Sequence, residues 1–332
     1  MPLPQPSAAS EVEIDIGAIK ARLHSDARIR ASIANDFGLE SISPDPDQFA
    51  SDVLERLGQR PAVNPSEQVL DNSQVFRAAV RALGSNQRRW SSYLKNEAAI
   101  TEVLCNFDPV EAEKHARAGD IAQLLTGQSS GADSRAMMGW ARLLAGETNY
   151  YQTIRHLGAA FRSLARHSSD EPIPDSELLL CIVGLIGNPP SRWAGVPYLE
   201  LTVRSLATCH WKTNGMSYIL ASEFMRNLGW NGFKPDRHVV RLFSRWLPDH
   251  DQFVAVRVHR LQELIGCFAK PLRTYLTYSL VGALVAPKNL ALSQVDNLVW
   301  LLGAYVEKKG QESTHQYITT RQVAIQGEPA LA

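Results

Sequence analysis

Cysteine is scarce in this chain. Four cysteines stand among 332 residues, and no two of them form a C-x-x-C pair. So few thiols exclude a disulfide scaffold and favour a reduced compartment, which predicts a cytoplasmic protein. The first residues, MPLPQPSAAS, also lack the basic segment and apolar run of a signal peptide.

Long hydrophobic runs and nucleotide-binding motifs are missing as well. The longest apolar run, residues 178–187, is about half of the ~20 residues that cross a bilayer, so no membrane partner is expected. Neither G-x-x-x-x-G-K-[ST] nor G-x-G-x-x-G occurs, which leaves a nucleotide cofactor without support. His238 has no second His or Cys at ligand spacing, so we predict no metal site built from side chains.

Net charge is absent too, because Lys and Arg number 34 and Asp and Glu also number 34. Whole-chain charge therefore gives no argument for a nucleic-acid partner. Between residues 203 and 245, however, seven basic residues stand against two acidic ones, a local charge of +5. If the protein binds DNA, this segment is where we expect it to do so.

Segments of alternating Val, Ile and Thr are missing, whereas apolar residues at i, i+3 and i+4 recur almost throughout. This pattern predicts an all-α protein without strands. We expect a disordered tail at residues 1–10, a helical N-terminal extension at 11–62, a main domain at 63–307 and a loose C-terminal tail at 308–332.

The strongest signal lies between residues 199 and 247. An amphipathic helix from Leu199 stops at Lys212-Thr-Asn-Gly215, and a second helix begins at Ser217 and ends at Gly229. The buried stripe of this second helix consists of Met216, Leu220, Phe224 and Leu228.

A third helix follows a loop that ends in Pro235. Asp236 stands where this helix starts, a position at which an aspartate most often serves only to cap the helix. The apolar face of the helix comprises Val239, Val240, Phe243, Trp246 and Leu247.

These residues resemble the helix-hairpin-helix DNA glycosylases, whose hairpin reads roughly Gly-apolar-Gly-x-x-x-Ala and is followed by Asp-x-His-x-x-Arg. The segment from Gly215 to Ala221 matches the first pattern with Ser217 in place of the second glycine. The segment from Asp236 to Arg241 matches the second pattern fully. Upstream, Phe107-Asp-Pro109 is similar to the 3-methyladenine glycosylase branch.

The resemblance implies two helical subdomains with an active-site cleft between them, a hairpin at residues 210–221 and a catalytic loop at 230–238. It also implies a monofunctional enzyme that hydrolyses the N-glycosidic bond of a flipped, modified base in double-stranded DNA and leaves an abasic site. Asp236 would stabilise the oxocarbenium-like transition state and position the attacking water. The lysine of the lyase branches is replaced by Ile219, and Lys212 is the one nearby lysine that could restore lyase activity.

By the same resemblance, DNA-binding residues lie in the hairpin and the third helix: Lys212, Thr213, Asn214, Gly215, Met216, Ser217, Arg237, His238 and Arg241. Aromatic candidates for the base pocket are Trp140, Tyr151, Trp193 and Trp211. No cofactor is implied apart from a monovalent cation that often binds at the hairpin. Cys267 stands alone, so no iron–sulfur cluster is expected.

Two alternatives stay open. The same hairpin occurs in non-catalytic modules that bind DNA or scaffold a partner. For an enzyme, the substrate could be an alkylated or oxidised purine in repair, or a hypermodified phage base in antiviral defence.

Overall fold

The structure is a computed structural model that describes residues 10–59, 61–146, 149–168, 172–187 and 215–322. This part of the chain is predominantly helical, which confirms the all-α prediction. Its α-helices are α1 (Ile16–Ser25), α2 (Ala27–Phe37), α3 (Pro46–Leu57), α4 (Asn72–Gly84), α5 (Trp90–Val103), α6 (Pro109–His115), α7 (Ala118–Leu124), α8 (Ser130–Gly146), α9 (Tyr150–Ser168), α10 (Asp175–Ile186), α11 (Tyr218–Asn227), α12 (Arg237–Trp246), α13 (Asp251–Ile265), α14 (Lys270–Val285) and α15 (Leu292–Leu301). Short 3₁₀-helices span Pro65–Glu67 and Cys105–Phe107, and a π-helix spans Leu302–Val306. Among these helices, none combines the length and the apolar character needed to cross a membrane.

The expectation of a protein without strands is wrong at the two ends of the described chain. Strand β1 (Ser10–Ile14) pairs antiparallel with β2 (Ile318–Gln322), and Ser10 lies opposite Gln322. Two strands of five residues each are too short to show a clear alternation in the sequence. The predicted C-terminal tail at 308–332 is therefore wrong for its first part, since residues 308–322 are placed against the helices. Residues 1–9 and 323–332 lie outside the described residues.

Tyr317 anchors this C-terminal segment. Its side chain is buried, its hydroxyl donates to Glu307 Oε1 at 3.0 Å, and its ring centroid lies 5.3 Å from that of Trp246. Burial, assisted by the Glu307 carboxylate, raises the pKa of Tyr317 to about 12, so the hydroxyl keeps its proton and acts as the donor. The backbone N–H of Asp15 also donates to the Tyr317 carbonyl at 3.0 Å, which joins this segment to the start of α1.

The N-terminal extension folds into α1, α2 and α3 because its sequence supplies a cap at the start of each helix and a glycine at the end of two of them. Asp15, Asp26 and Asp45 cap the three N-termini by accepting hydrogen bonds from backbone N–H groups. Gly38 and Gly58 end α2 and α3 with φ angles of 61° and 69°, a left-handed conformation that glycine adopts without strain. The buried side chains of these helices belong to the same hydrophobic core as the main domain.

Helix α4 lies at the centre of the main domain and packs against α8, α9 and α11. An Asp71–Gln74 capping box starts it. Helix α11 begins after Ser217, whose Oγ accepts from Leu220 N at 3.4 Å, and all four residues of its predicted stripe are buried. In α12, Leu242 is buried, whereas Val240 is only partly buried and so is less central to the apolar face than we expected.

We predict that Tyr317→Ala lowers the free energy of unfolding by about 3–5 kcal/mol, the usual cost of truncating a buried aromatic side chain. The urea midpoint measures this loss. Phe253→Ala is the matched control, because the Phe253 side chain is 65% exposed and its truncation should cost no more than about 0.5 kcal/mol. Equal losses in the two variants would contradict the anchoring role of Tyr317.

Candidate active site

An open cavity of about 540 Å³ lies between the N-terminal extension, the loop before α5, α11 and the C-terminal helices. It contains five basic and three acidic side chains, and three large aromatic ones. Its lining residues are Ser32, Asp36, Leu57, Ser85, Asn86, Gln87, Arg88, Arg89, Trp90, Ile219, Leu220, Glu223, Lys234, Asp236, Arg237, His238, Asn297, Trp300, Ala304, Tyr305 and Lys308.

Asp236 lines this cavity at the N-terminus of α12. Its Oδ1 accepts hydrogen bonds from the backbone N–H groups of His238 at 2.8 Å and Val239 at 3.2 Å. Its Oδ2 accepts no hydrogen bond from the described part of the chain. The helix therefore fixes the carboxylate through one oxygen and leaves the other for a ligand, so the capping role and a catalytic role are compatible.

His238 is fixed by hydrogen bonds within the protein. Its Nε2 accepts from Arg237 Nε at 3.3 Å, which assigns the ring proton to Nδ1, and Nδ1 donates to the Gly303 carbonyl at 3.1 Å. Burial lowers the pKa of His238, and the neighbouring Arg237 and Arg241 also lower it, against the opposite effect of Asp236. The imidazole is therefore neutral at pH 7, and its donor is used inside the protein.

Arg241, a predicted DNA-binding residue, is also used internally. Its Nη1 donates to Glu312 Oε1 at 2.5 Å, and its Nη2 donates to the carbonyls of Gly303 and Glu307 at 3.0 and 2.5 Å. These bonds hold the π-helix and the following segment against α12. The structure thus gives Arg241 a role in positioning backbone next to the cavity instead of one at an open surface.

The local charge of +5 between residues 203 and 245 is largely compensated in space. Four of its five described basic residues pair with carboxylates: Arg226 with Asp296, Lys234 with Glu223, Arg241 with Glu312 and Arg245 with Glu307. Three of these partners follow residue 290 in the chain, beyond any window that a local charge count covers. Of the five, Arg237 is the one that is exposed.

The loop at residues 85–89 forms one rim of the cavity and is rigidly held by Arg88. The Arg88 guanidinium is buried; it donates to Asp133 Oδ2 at 2.5 Å and to the carbonyls of Leu83 and Gly84 at 2.8 and 2.9 Å. The two residues that flank Arg88 in the sequence, Gln87 and Arg89, are exposed, and Gln87 has a φ of 52°. A non-glycine residue with positive φ is strained, and such strain persists only where the surroundings hold it.

Behind the cavity lies a buried polar cluster centred on Arg226. Its Nη1 donates to Asp296 Oδ2 at 2.6 Å, and its Nη2 donates to Gln59 Oε1 at 2.5 Å and Asn297 Oδ1 at 2.6 Å. Asp296 Oδ1 accepts from the backbone N–H of Lys234 at 2.9 Å. The cluster therefore fixes the loop that leads into Asp236.

Glu223 connects this cluster to the cavity lining. Its Oε1 accepts from Gln59 Nε2 at 2.7 Å, and its Oε2 lies 3.1 Å from Lys234 Nζ. Burial acts to raise the pKa of Glu223, but the charges of Lys234 and Arg226 and the hydrogen bonds outweigh it and lower the pKa. Glu223 is therefore an ionised partner that neutralises Lys234.

Only the second half of the predicted hairpin is described. Gly215 has a φ of 97°, and a Cβ there would lie 2.9 Å from Ala136 Cβ, so glycine is required on both counts. Met216 is buried and Ser217 is exposed, and none of these three residues lines the cavity. The predicted site residues Lys212, Thr213, Asn214, Trp193 and Trp211 lie outside the described residues.

Trp140 and Tyr151, predicted to form the base pocket, lie in the hydrophobic core. Both are fully buried: Trp140 packs against Tyr150 and Phe224, and the Tyr151 hydroxyl accepts from Trp230 Nε1 at 3.2 Å. Neither lines the cavity. The aromatic residues that do are Trp90, Trp300 and Tyr305; Trp90 belongs to an Arg-Arg-Trp cluster that the sequence displays, whereas no local pattern marks the other two.

Protein-family models, curated proteins and solved structures were each compared with this chain, and none matches it. In the described residues, no group of three or more His, Cys, Asp or Glu side chains could hold a metal ion. The monovalent cation expected at the hairpin stays a prediction, because residues 212–214 lie outside the described ranges.

We predict that Asp296 gives the protein a distinctive pH dependence of stability. Burial raises the pKa of Asp296 to about 6, although Arg226 and Lys234 act to lower it. The folded protein then holds this proton more tightly than the unfolded chain, whose ordinary Asp pKa is about 3.9. The stability that this proton contributes is fully present below about pH 4 and is lost as the pH rises to about 6.

Urea titrations of the wild type and Asp296→Asn at several pH values between about 4 and 7 measure this effect. As the pH rises, the free energy of unfolding of the wild type should fall by up to about 3 kcal/mol relative to that of the variant. This is the free energy that corresponds to a pKa difference of about two between the folded and the unfolded chain. Asp249→Asn removes an exposed carboxylate and is the control. If the difference in unfolding free energy between the wild type and Asp296→Asn did not change with pH, the raised pKa of Asp296 would be contradicted.

Proposed function

We propose that this chain is a monofunctional DNA glycosylase that hydrolyses the N-glycosidic bond of a flipped, modified base and leaves an abasic site. The observation that carries the proposal is the position of Asp236: one carboxylate oxygen is fixed by two backbone amides, and the residue lines a cavity large enough for a nucleotide. The match of Asp236, His238 and Arg241 to the Asp-x-His-x-x-Arg pattern adds to it.

The proposed chemistry needs a fixed negative charge beside the sugar. As the base leaves, positive charge develops on the sugar, and a carboxylate already held in place stabilises that charge without reorganising. Asp236 is held in this way, and its free oxygen can orient the attacking water. Lys234, two residues earlier, is paired with Glu223, so its charge does not offset that of Asp236.

The cavity also offers the surfaces that a flipped base and its backbone require. Trp300 and Tyr305, which are only partly buried, supply flat rings for the base. Arg89, Arg237 and Lys308 line the cavity and are exposed, which suits contacts with phosphates. In this proposal the backbone amides from Gly215 to Ser217 form part of the hairpin that meets the DNA backbone.

The exposed loop residue Gln87 fits the same proposal. Removing a base from the duplex leaves a gap in the stack, and an enzyme stabilises that state by filling the gap with a side chain. Gln87 stands on the cavity rim, and the Arg88 network holds it in a strained conformation. We assign it as the side chain that enters the vacated space.

The absence of lyase activity is part of the proposal. Ile219, at the position of the lyase lysine in the family, lines the cavity and has no amine. Lys234 does line the cavity, but its amine is held in an ion pair with Glu223 instead of being free to attack the sugar. Water is therefore the proposed nucleophile.

The helix-hairpin-helix motif, the two subdomains with a cleft between them and the cytoplasmic location also belong to this proposal. The substrate is a double-stranded DNA that carries an alkylated or oxidised purine, or a hypermodified phage base. No cofactor is proposed beyond the monovalent cation at the hairpin.

We predict that Asp236→Asn lowers the rate of base excision about 10²–10⁴-fold, because it removes the charge that stabilises the transition state. Asparagine caps a helix about as well as aspartate, so the fold and DNA binding should be retained. Single-turnover assays on modified duplexes, with alkali to cleave at abasic sites, measure the rate.

Asp108→Asn is the matched control for this experiment. Asp108 caps α6 through one oxygen, which accepts from Val110 N at 2.9 Å and Glu111 N at 3.1 Å, and it does not line the cavity. Its substitution should leave the rate unchanged. If Asp236→Asn retained the wild-type rate, Asp236 would be only a helix cap and the proposed mechanism would be wrong.

A further inference from the structure

The N-terminal extension contributes one wall of the cavity. Ser32 and Asp36 from α2 and Leu57 from α3 line it, together with main-domain residues that include Asp236. Sequence reasoning assigned no use to this extension. The acidic side chain on this wall is Asp36, which is partly buried.

Asp36 is held by Tyr305 through one oxygen. The Tyr305 hydroxyl donates to Asp36 Oδ2 at 2.9 Å. Burial raises the pKa of Tyr305, and the Asp36 carboxylate raises it further, so the hydroxyl keeps its proton and remains the donor. Asp36 Oδ1 accepts no hydrogen bond from the described residues.

Flat rings lie next to this carboxylate. Phe37, the residue after Asp36, packs edge-on against Trp300 with a centroid distance of 6.5 Å, and Trp300 packs edge-on against Tyr305 at 6.4 Å. These contacts fix α2 relative to the π-helix. The wall therefore combines ring surfaces with an oxygen that can still accept a hydrogen bond.

Such a wall favours one class of ligand. A partly buried carboxylate oxygen is stabilised by an N–H donor and repels a carbonyl oxygen. Aromatic side chains favour a planar ligand. A planar ring with an exocyclic amino group satisfies both, as in an adenine-type base.

We propose that Asp36, positioned by Tyr305, is the base-recognition residue of this cavity and selects a purine that offers amino N–H donors. This inference rests on the proposed function, since it identifies the base that Asp236 would release. It also gives the N-terminal extension a role in specificity.

The test compares adenine with 6-methylpurine, in which a methyl group replaces the amino group at almost constant size. Isothermal titration calorimetry of the free bases measures binding without any catalytic step. The wild type should bind adenine about tenfold or more tightly than 6-methylpurine, and Asp36→Asn should reduce this preference to about twofold or less. Equal binding of the two bases by the wild type, no binding of either base, or an unchanged preference in Asp36→Asn would each overturn the proposal.

Two further variants separate recognition from a structural effect. Glu40→Gln removes an exposed carboxylate from the same extension, outside the cavity, and should keep the wild-type preference. Tyr305→Phe removes the hydroxyl but leaves the Asp36 carboxylate, so adenine should still be preferred. If Tyr305→Phe abolished the preference while Asp36→Asn kept it, the Tyr305 hydroxyl would be the recognition group and the role of Asp36 would be wrong.

Failure of base recognition and failure of the proposed glycosylase activity give different results. A wild-type preference that depends on Asp36, in a protein that releases no base from any DNA, would support recognition and contradict the glycosylase. Release of a base from DNA by a protein without this preference would support the glycosylase and contradict the recognition role of Asp36.

Discussion

The buried guanidinium of Arg226 holds three separate parts of the chain together. Arg226 lies in α11 and donates hydrogen bonds to Gln59, which follows α3, and to Asp296 and Asn297 in α15. An unpaired charge in this position would cost several kcal/mol, so these elements are stable only when they are assembled around it. Gly58 ends α3 in a left-handed conformation, and Gln59, the next residue, accepts from Arg226.

The cavity follows from this arrangement. Asp296 binds both Arg226 and the backbone of Lys234, so the loop before Asp236 is fixed to the same cluster that fixes α3 and α15. Arg241 extends the arrangement on the other side by holding the π-helix that carries Tyr305. The two carboxylates proposed to act on a ligand, Asp36 and Asp236, thus line one cavity although they lie 200 positions apart in the sequence.

Local features of this fold could be predicted from the sequence, and long-range ones could not. The caps at Ser217 and Asp236 and the buried stripe of α11 are set by residues within a few positions of each other, so their spacing reveals them. The hydrogen bonds from Arg226 to Gln59 and from Tyr305 to Asp36 join residues 167 and 269 positions apart, and no local pattern records them.

Long-range packing also explains why Trp140 and Tyr151 were expected in the pocket but do not line the cavity. Trp140 and Tyr151 have side chains suited to stacking on a base, but residue type does not show which face of a helix is covered by its neighbours. The positive charge counted between residues 203 and 245 has the same explanation. The carboxylates that compensate it, Asp296, Glu307 and Glu312, come from the C-terminal part of the chain.

Release of a free base from modified DNA by the wild-type protein tests the central claim most directly. Duplexes carrying alkylated purines, oxidised purines and hypermodified phage bases would be incubated with the protein, and free bases would be identified by mass spectrometry. We expect at least one base to be released, with one abasic site formed for each molecule of base. Binding to these duplexes without release of any base would contradict the claim and identify a non-catalytic DNA-binding protein.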